Sequence, residues 1–451
     1  MAAKLTERER SAILSSLGAG VVPRLGLEHI QVGRKKEVAA MLEDIGRIEN
    51  GAAAVRFVVG RFGCGKSFFL NLIQTVALER KFVVARADIT TERRLQATSG
   101  QARALYAELM TNLATRGKPE GGALANLVER WVGDVAHEVT SADGGPPDVQ
   151  RKLTELCKPL QDLVSGYDFA TVVGKYYEGF LGNAEPLQSA AIRWLRAQYS
   201  TKTEARQELG VRNIIDDGSI YDYLKLFARF CRIAGYTGLL VCLDELVVLS
   251  HRLGSKTARN NNYESILRIL NDCLQGSVVG LGFVFAATDD CMFDKRRGLF
   301  SYEALASRLA SNRFAQGELA DLSGPVLQLA PLTPEDCYVL LMNIRHVHAG
   351  GDEARYLLPN DALEVYLKSC QQRMGAAYFQ TPRETIKDFV GLLNVLQQNP
   401  GADWRKLIGE IKTVAPPPSD PPAGPDEAST EAPAQTIAGG NADDDLATFK
   451  V

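Results

Sequence analysis

One octapeptide, Gly60-Arg61-Phe62-Gly63-Cys64-Gly65-Lys66-Ser67, determines the architecture that we expect for this 451-residue chain. It fits the pattern G-x-x-x-x-G-K-[ST], which is typical of loops that bind nucleotide phosphates. Its glycines let backbone N–H groups turn toward phosphate oxygens, and the helix that follows adds its positive N-terminal end. Lys66 is suited to the β- and γ-phosphates and Ser67 to Mg²⁺. The candidate nucleotide-binding residues therefore run from Gly60 through Phe68.

The sequence around this loop predicts an α/β fold with a central parallel sheet flanked by helices. Residues 54–59 predict a short buried strand before the loop, and residues 68–73 begin a helix after it. Continuous apolar runs are typical of parallel strands that are covered on both faces. Runs of this kind at residues 238–243 and 282–287 predict two further strands. Residues 81–89, which end in an acid, and residues 326–329 predict two more.

Helical patterns fill most of the remaining sequence. The apolar spacing predicts helices at residues 7–17 and 101–113, and a mostly helical region at about 117–236 that is broken at 144–147 and 182–183. We therefore expect four regions: an N-terminal helical segment at 1–30, an ATPase core at 31–332 with the helical insertion inside it, a helical lid at 333–413, and a tail at 414–451.

The tail differs sharply in composition from the rest of the chain. Residues 414–451 hold seven of the 19 prolines and a net charge of −6, which leaves about +3 on the body. Such a segment buries too little apolar area to offset its ordering entropy, so we predict that it is disordered. Its acidic last nine residues are either a solvated end or a short peptide that docks a partner.

Composition limits the class of protein. The apolar share of 45% and the charged share of 23% are ordinary for globular proteins, and no apolar run approaches the roughly 20 residues that span a bilayer. The charged amino terminus is unlike a signal peptide. The eight scattered cysteines favour a reducing cytoplasm over disulfides or a zinc site. Cys64 is either a redox-sensitive thiol or simply the small side chain that the loop accepts.

Two adjacent acids narrow the chemistry. Asp244 and Glu245 follow the apolar run at 238–243, where a buried strand ends. Asp244 is placed to hold Mg²⁺ through water, and Glu245 to orient and polarise an attacking water. This pair favours ATP hydrolysis over phosphoryl transfer to a small molecule. The alternative is that the two carboxylates only cap the next helix.

Polar residues elsewhere complete the candidate catalytic set. Thr288 follows the next strand and could reach the γ-phosphate or the attacking water; Asp289 could serve instead, and helix capping is the alternative for both. Arg308 could reach a neighbouring subunit's γ-phosphate, with Arg313 as the competing candidate. Arg383 follows Thr381-Pro382, a pattern that predicts a helix start, and would contact phosphate from the helical lid.

These motifs together resemble AAA+ ATPases of the origin-recognition/Cdc6 and STAND type. Residues 32–37 (VGRKKE) are similar to the adenine-side box of that class, which implies nucleotide contacts for Gly33 and Arg34. Residues 20–27 (GVVPRLGL), 87–95 (ADITTERRL) and 378–384 (YFQTPRE) resemble, more closely, the ATP-binding proteins of BREX phage-exclusion systems, nearest the BrxD type. This resemblance implies a cytoplasmic ATPase in a phage-defence system, acting beside helicase, methyltransferase or phosphatase-like partners. The sequence departs from these families in two ways. It leaves too few residues after the lid for the winged helix of the origin-recognition relatives, and its acidic tail lies outside the resemblance.

The leading hypothesis is an AAA+ ATPase that uses ATP and Mg²⁺ to switch its assembly or its grip on a partner, as a homo-oligomer. The alternative is a motor or helicase loader that acts directly on DNA. Basic clusters at Arg93-Arg94 and Lys295-Arg296-Arg297 permit DNA contact, although solvated surface charge explains them as well. A scaffold that hardly hydrolyses ATP is a third option, against which Glu245 argues.

Overall fold

A five-stranded, all-parallel sheet forms the centre of the computed structural model, which describes residues 5–314, 321–374 and 382–410. Its strand order is β2-β3-β4-β1-β5. The sheet confirms the predicted α/β architecture, with strand bounds that differ by a few residues at most. The strands are β1 (Ala54–Val59), β2 (Val83–Asp88), β3 (Leu239–Asp244), β4 (Leu281–Ala287) and β5 (Val326–Gln328).

Helices make up most of the remaining described chain. Pro382 begins α17, as the sequence predicts, while the capping residue predicted before it, Thr381, lies outside the described residues, as does the tail at 414–451. The helices in the described ranges are α1 (Glu7–Gly18), α2 (Lys35–Glu49), α3 (Lys66–Glu79), α4 (Gln101–Thr111), α5 (Leu124–Ser141), α6 (Pro146–Leu156), α7 (Lys158–Gln161), α8 (Gly166–Leu181), α9 (Glu185–Leu195), α10 (Lys202–Leu209), α11 (Ile220–Ile233), α12 (Lys256–Leu274), α13 (Asp289–Phe293), α14 (Glu303–Leu309), α15 (Pro334–His348), α16 (Asn360–Met374), α17 (Pro382–Gln398) and α18 (Trp404–Glu410).

Neighbouring residues of each strand point to opposite faces of the sheet, and both faces are covered. On one face Val58 packs with side chains of α2 and α3. On the other face Phe57 packs with α4, α11 and α12, and its ring stacks on that of Phe285 at 4.9 Å between centroids. This double coverage explains why the strands are largely apolar.

The helices α5–α11 occupy the predicted insertion and share one core with the second sheet face. Trp131 of α5 and Phe169 of α8 both contact Phe230 of α11, with ring centroids 5.1 and 5.0 Å apart. Tyr221 of α11 in turn lies against Phe283 of β4, at 6.2 Å. The helical content of this region is as predicted, but its apolar interior is continuous with that of the sheet.

A third apolar cluster joins α1 to the last helices. Ile13 and Leu17 of α1 pack with side chains of α15, α16 and α17, including Phe389 and Val390. The start of α15 is set by Thr333, which caps the helix before Pro334. The predicted lid thus consists of helices that α1 also contacts; its boundary as a separate domain stays a prediction.

The chain order places one crevice at the carboxyl ends of the strands. β1 and β4 are neighbours, yet the chain leaves β1 for α3 on one face and leaves β4 for α13 and α14 on the other. Ligands of open parallel sheets bind where connections of adjacent strands diverge in this way. The octapeptide at Gly60 begins at this point.

Candidate functional site

The loop between β1 and α3 has the backbone that its glycines predict. Gly63 and Gly65 have φ angles of +78° and +93°, a region that side chains disfavour. Gly60 is also restricted, because a Cβ there would lie 2.7 Å from Cys64 Sγ. Cys64 itself is buried in the apolar layer under the loop, an environment that agrees with a small packing side chain.

Lys66 is the first residue of α3 and lies within the loop. Its ammonium donates hydrogen bonds to the carbonyl oxygens of Gly60 and Arg61, both at 2.9 Å. The loop therefore surrounds a positive charge at the N-terminal end of a 14-residue helix. Both features attract phosphate.

Gly33 and Arg34 bring a second segment to the loop. Arg34 Nη2 donates to the carbonyl oxygen of Cys64 at 2.7 Å, while Arg34 Nη1 is buried and has no hydrogen-bond partner among the described residues. Burial lowers the pKa of Arg34. A Cβ at Gly33 would lie 3.0 Å from Asp336 Oδ2 of α15, so the backbone passes close to that helix. Arg34 thus connects the segment at residues 32–37 to the phosphate loop.

Ser67 and Asp244 form an oxygen pair at the end of β3. Ser67 Oγ donates to Asp244 Oδ2 at 2.8 Å. Asp88, the last residue of β2, is paired in register with Asp244 across the parallel strands. Hydroxyl and carboxylate oxygens are the ligands that Mg²⁺ prefers, so this set of side chains fits a magnesium ion held with nucleotide phosphates.

Glu245 directly follows β3 in an unusual conformation. Its φ is +58°, and its backbone N–H donates to Asp244 Oδ1 at 2.8 Å. Left-handed backbone at a residue other than glycine costs of order 1–3 kcal/mol and concentrates at functional sites. Burial, then the neighbouring carboxylates of Asp244 and Asp88, raise the pKa of Glu245. A π-helical turn, Val248–Arg252, follows it.

Thr288 lies where the sequence predicts, just after β4, but its side chain caps a helix. Thr288 Oγ1 accepts a hydrogen bond from the backbone N–H of Cys291 at 3.2 Å. Asp289, the competing residue, accepts one from Gln328 Nε2 of β5 at 3.1 Å. The capping alternative thus describes Thr288 in this structure, and its hydroxyl keeps a second lone pair and its proton for another partner.

Arg308 is an exposed residue in the last turn of α14. Its Nε donates to Asn271 Oδ1 of α12 at 2.6 Å, and its Nη1 to the carbonyl oxygen of Ala304 at 2.9 Å. These contacts hold the guanidinium on the outer side of α12. Arg313, the competing arginine, is exposed as well.

Arg383 reaches the phosphate loop from α17. Its guanidinium carbon lies 5.2 Å from the centroid of the Phe62 ring. Phe68, at the other end of the loop, packs against the apolar cluster of α1 and α15–α17. Of the predicted site residues, therefore, the loop, Arg34, Asp244, Glu245 and Arg383 come together, whereas Arg308 contacts α12.

Two further residues belong to this neighbourhood. Asp88 was visible in the sequence only as the acid that ends a strand, since its pairing with Asp244 follows from strand register. Burial and the charge of Asp244 raise the pKa of Asp88, against the opposing effect of Arg93 and Arg86. The side chain of Asp336, which takes part in capping α15, lies close to Gly33. No local signal in the sequence predicts that these two residues are neighbours.

No helix in the described ranges combines the length and apolar character that crossing a bilayer demands.

No curated protein sequence matches the chain. The family described as BREX system ATP-binding protein BrxC/D matches residues 5–412, which include every site residue above. The chain therefore belongs to the BrxC/D family of ATP-binding proteins of the BREX phage-defence system.

Proposed function

We propose that this protein is an AAA+ ATPase that hydrolyses Mg²⁺-ATP in the crevice at the carboxyl ends of β1, β3 and β4. The observation that carries the proposal is the convergence of Lys66, the Ser67–Asp244 pair and Glu245 at the carboxyl ends of β1 and β3. Membership of an ATP-binding family supports the choice of nucleotide.

The binding residues divide between the two ends of the nucleotide. Backbone N–H groups of the loop from Gly60 to Phe68 and the ammonium of Lys66 would hold the phosphates. Gly33 and Arg34 would contact the adenine side. Ser67 and Asp244 would hold Mg²⁺, which neutralises charge that develops on the phosphate oxygens.

We assign Glu245 as the base that activates the attacking water. Its carboxylate would accept a proton from that water. Thr288 would hold the water or the γ-phosphate with the hydrogen-bonding capacity that helix capping leaves it. Arg383 would stabilise phosphate charge from α17, and Arg308 would do so from a neighbouring subunit.

Within the defence system, ATP turnover would switch the assembly of this protein or its hold on another component. The helicase, methyltransferase or phosphatase-like proteins that the resemblance implies are the candidate partners, in the cytoplasm. Direct action on DNA is the weaker alternative, because Arg93 is already paired with Glu108, at 2.9 Å.

The substitution Glu245→Gln tests the proposal. We expect ATP to bind with unchanged affinity and turnover to fall by about 10²-fold or more, since the water loses its base. Isothermal titration measures the affinity for ATP, and phosphate release measures turnover. Glu92→Gln, which removes an exposed carboxylate from the loop after β2, is the matched control and keeps full turnover. Unchanged turnover in Glu245→Gln would contradict the assignment.

A further inference from the structure

Phe62 is an unusual residue for the middle of a phosphate loop. Its side chain is large, apolar and 65% exposed, on a loop whose other features are suited to charge. An exposed aromatic ring costs apolar hydration that a smaller side chain would avoid. The ring nevertheless has a partner, because the guanidinium carbon of Arg383 lies over its face, 5.2 Å from the ring centroid.

The aliphatic part of Arg383 is held from another direction. A Cβ at Gly20 would lie 3.8 Å from Arg383 Cγ and 3.8 Å from Lys387 Cδ, so the stem of the arginine passes along the segment that follows α1. The end of α1 also lies close to α17, since Val390 Cγ1 would lie 3.5 Å from a Cβ at Gly18. Arg383 thus lies between the segment after α1 and the ring of Phe62.

The ring also compensates an unfavourable position of the arginine. Arg383 is the second residue of α17, and cations are disfavoured near the positive N-terminal end of a helix. The negative face of an aromatic ring attracts a guanidinium. A contact with the ring face does not use up the N–H donors of the guanidinium, which can still bind phosphate.

We propose that Phe62 is a positioning residue that holds Arg383 beside the phosphate loop, so that nucleotide binding to the loop and the position of α17 are energetically coupled. The proposal rests on the proposed function, in which Arg383 contacts phosphate. Phe62 itself does not touch the reacting atoms in this scheme; it acts through the arginine.

A double-mutant cycle on ATP affinity tests the coupling. Phe62→Leu keeps apolar bulk and removes the π face, and we expect it to weaken ATP binding about threefold. Phe62→Trp keeps a ring and should restore wild-type affinity. Arg383→Met removes the charge; combined with Phe62→Leu, it should bind ATP no more weakly than Arg383→Met alone.

Thermal melts without nucleotide check that every variant is folded, and Phe180→Leu, an exposed ring on α8, is the matched control with unchanged affinity. Additive losses in the double variant, or a Phe62→Trp protein as weak as Phe62→Leu, would overturn the inference while leaving the ATPase intact. A wild-type chain that binds no ATP would instead overturn the proposed function, and this inference with it.

Discussion

At the scale of single residues, Arg34 shows how the nucleotide site is held together. It is in the left-handed region with φ of +57°, and its guanidinium donates to the carbonyl oxygen of Cys64. This hydrogen bond links the segment at residues 32–37 to the phosphate loop.

Replacing this arginine should therefore weaken nucleotide binding. A hydrogen bond from a charged group is worth roughly 1.5–3 kcal/mol, so Arg34→Ala should raise the Kd for ATP by roughly 10- to 100-fold. Isothermal titration measures the change. Lys36→Ala, two residues on in the exposed first turn of α2, should bind as the wild type does. Equal affinity of Arg34→Ala and wild type would show that the contact with Cys64 is dispensable.

Site residues differed in how far the sequence could predict them. Asp244 and Glu245 could be predicted, because carboxylates at the end of a buried strand are rare unless they have a function. Phe62 carried no such signal, since its partner Arg383 is distant in sequence and on another element. Asp88 joined the site only through strand register, which a single sequence does not reveal.

At the scale of elements, Arg56 connects three pieces of structure around the central strand. This buried residue of β1 pairs with Asp44 of α2, and its Nη1 donates to the carbonyl oxygens of Leu322 and Gly324, just before β5. The short edge strand β5 is thereby fastened to the middle of the sheet. Asp44 is also paired with Arg47, which is largely exposed.

The two arginines offer a matched comparison. Arg56→Met leaves two partly buried carbonyls unpaired and Asp44 with a single partner, so we expect the free energy of unfolding to fall by about 3 kcal/mol, at the lower end for a broken buried pair. Arg47→Met removes an exposed partner of the same carboxylate and should cost less than about 1 kcal/mol. Denaturant unfolding measures both. Similar losses would mean that burial does not distinguish the two pairs.

Strands were easier to predict than the contacts between helices. The largely apolar stretches at β1, β3 and β4 predicted bounds close to those observed, because each strand is covered on both faces. The packing of α1 against α15–α17 joins the two ends of the described chain. Amphipathic spacing identifies which face of such a helix is apolar but not what covers it.

At the scale of the whole molecule, Arg308 bears on whether one chain is sufficient for catalysis. Its contacts with Asn271 and Ala304 present the guanidinium on the outer side of α12. An arginine presented outward is suited to a neighbour's phosphate, and such a site is complete only in an assembly.

Mixing two inactive variants tests this arrangement. Arg308→Ala should lower turnover on the order of 10³-fold, and Lys66→Ala should abolish nucleotide binding. In a mixture, Lys66→Ala subunits would supply Arg308 to intact loops, so partial phosphate release should return. Arg313→Ala distinguishes the competing arginine. A mixture as inactive as its components would place the essential arginine within one chain, and so would wild-type turnover per subunit that is independent of concentration.

The shared interior of α5–α11 and the sheet bears on how this protein could be dissected or could have evolved. Tyr221 against Phe283 is a direct contact between the helical region and the strand that leads to Thr288. Removing residues 124–233 would expose part of one face of the sheet to water, and a closely packed interior cannot rearrange to fill such a gap. In the sequence this helical region resembles a removable insertion. In the structure it helps to support the sheet and so the spacing of the strand ends. Shorter relatives that lack it would need a different cover for the same surface.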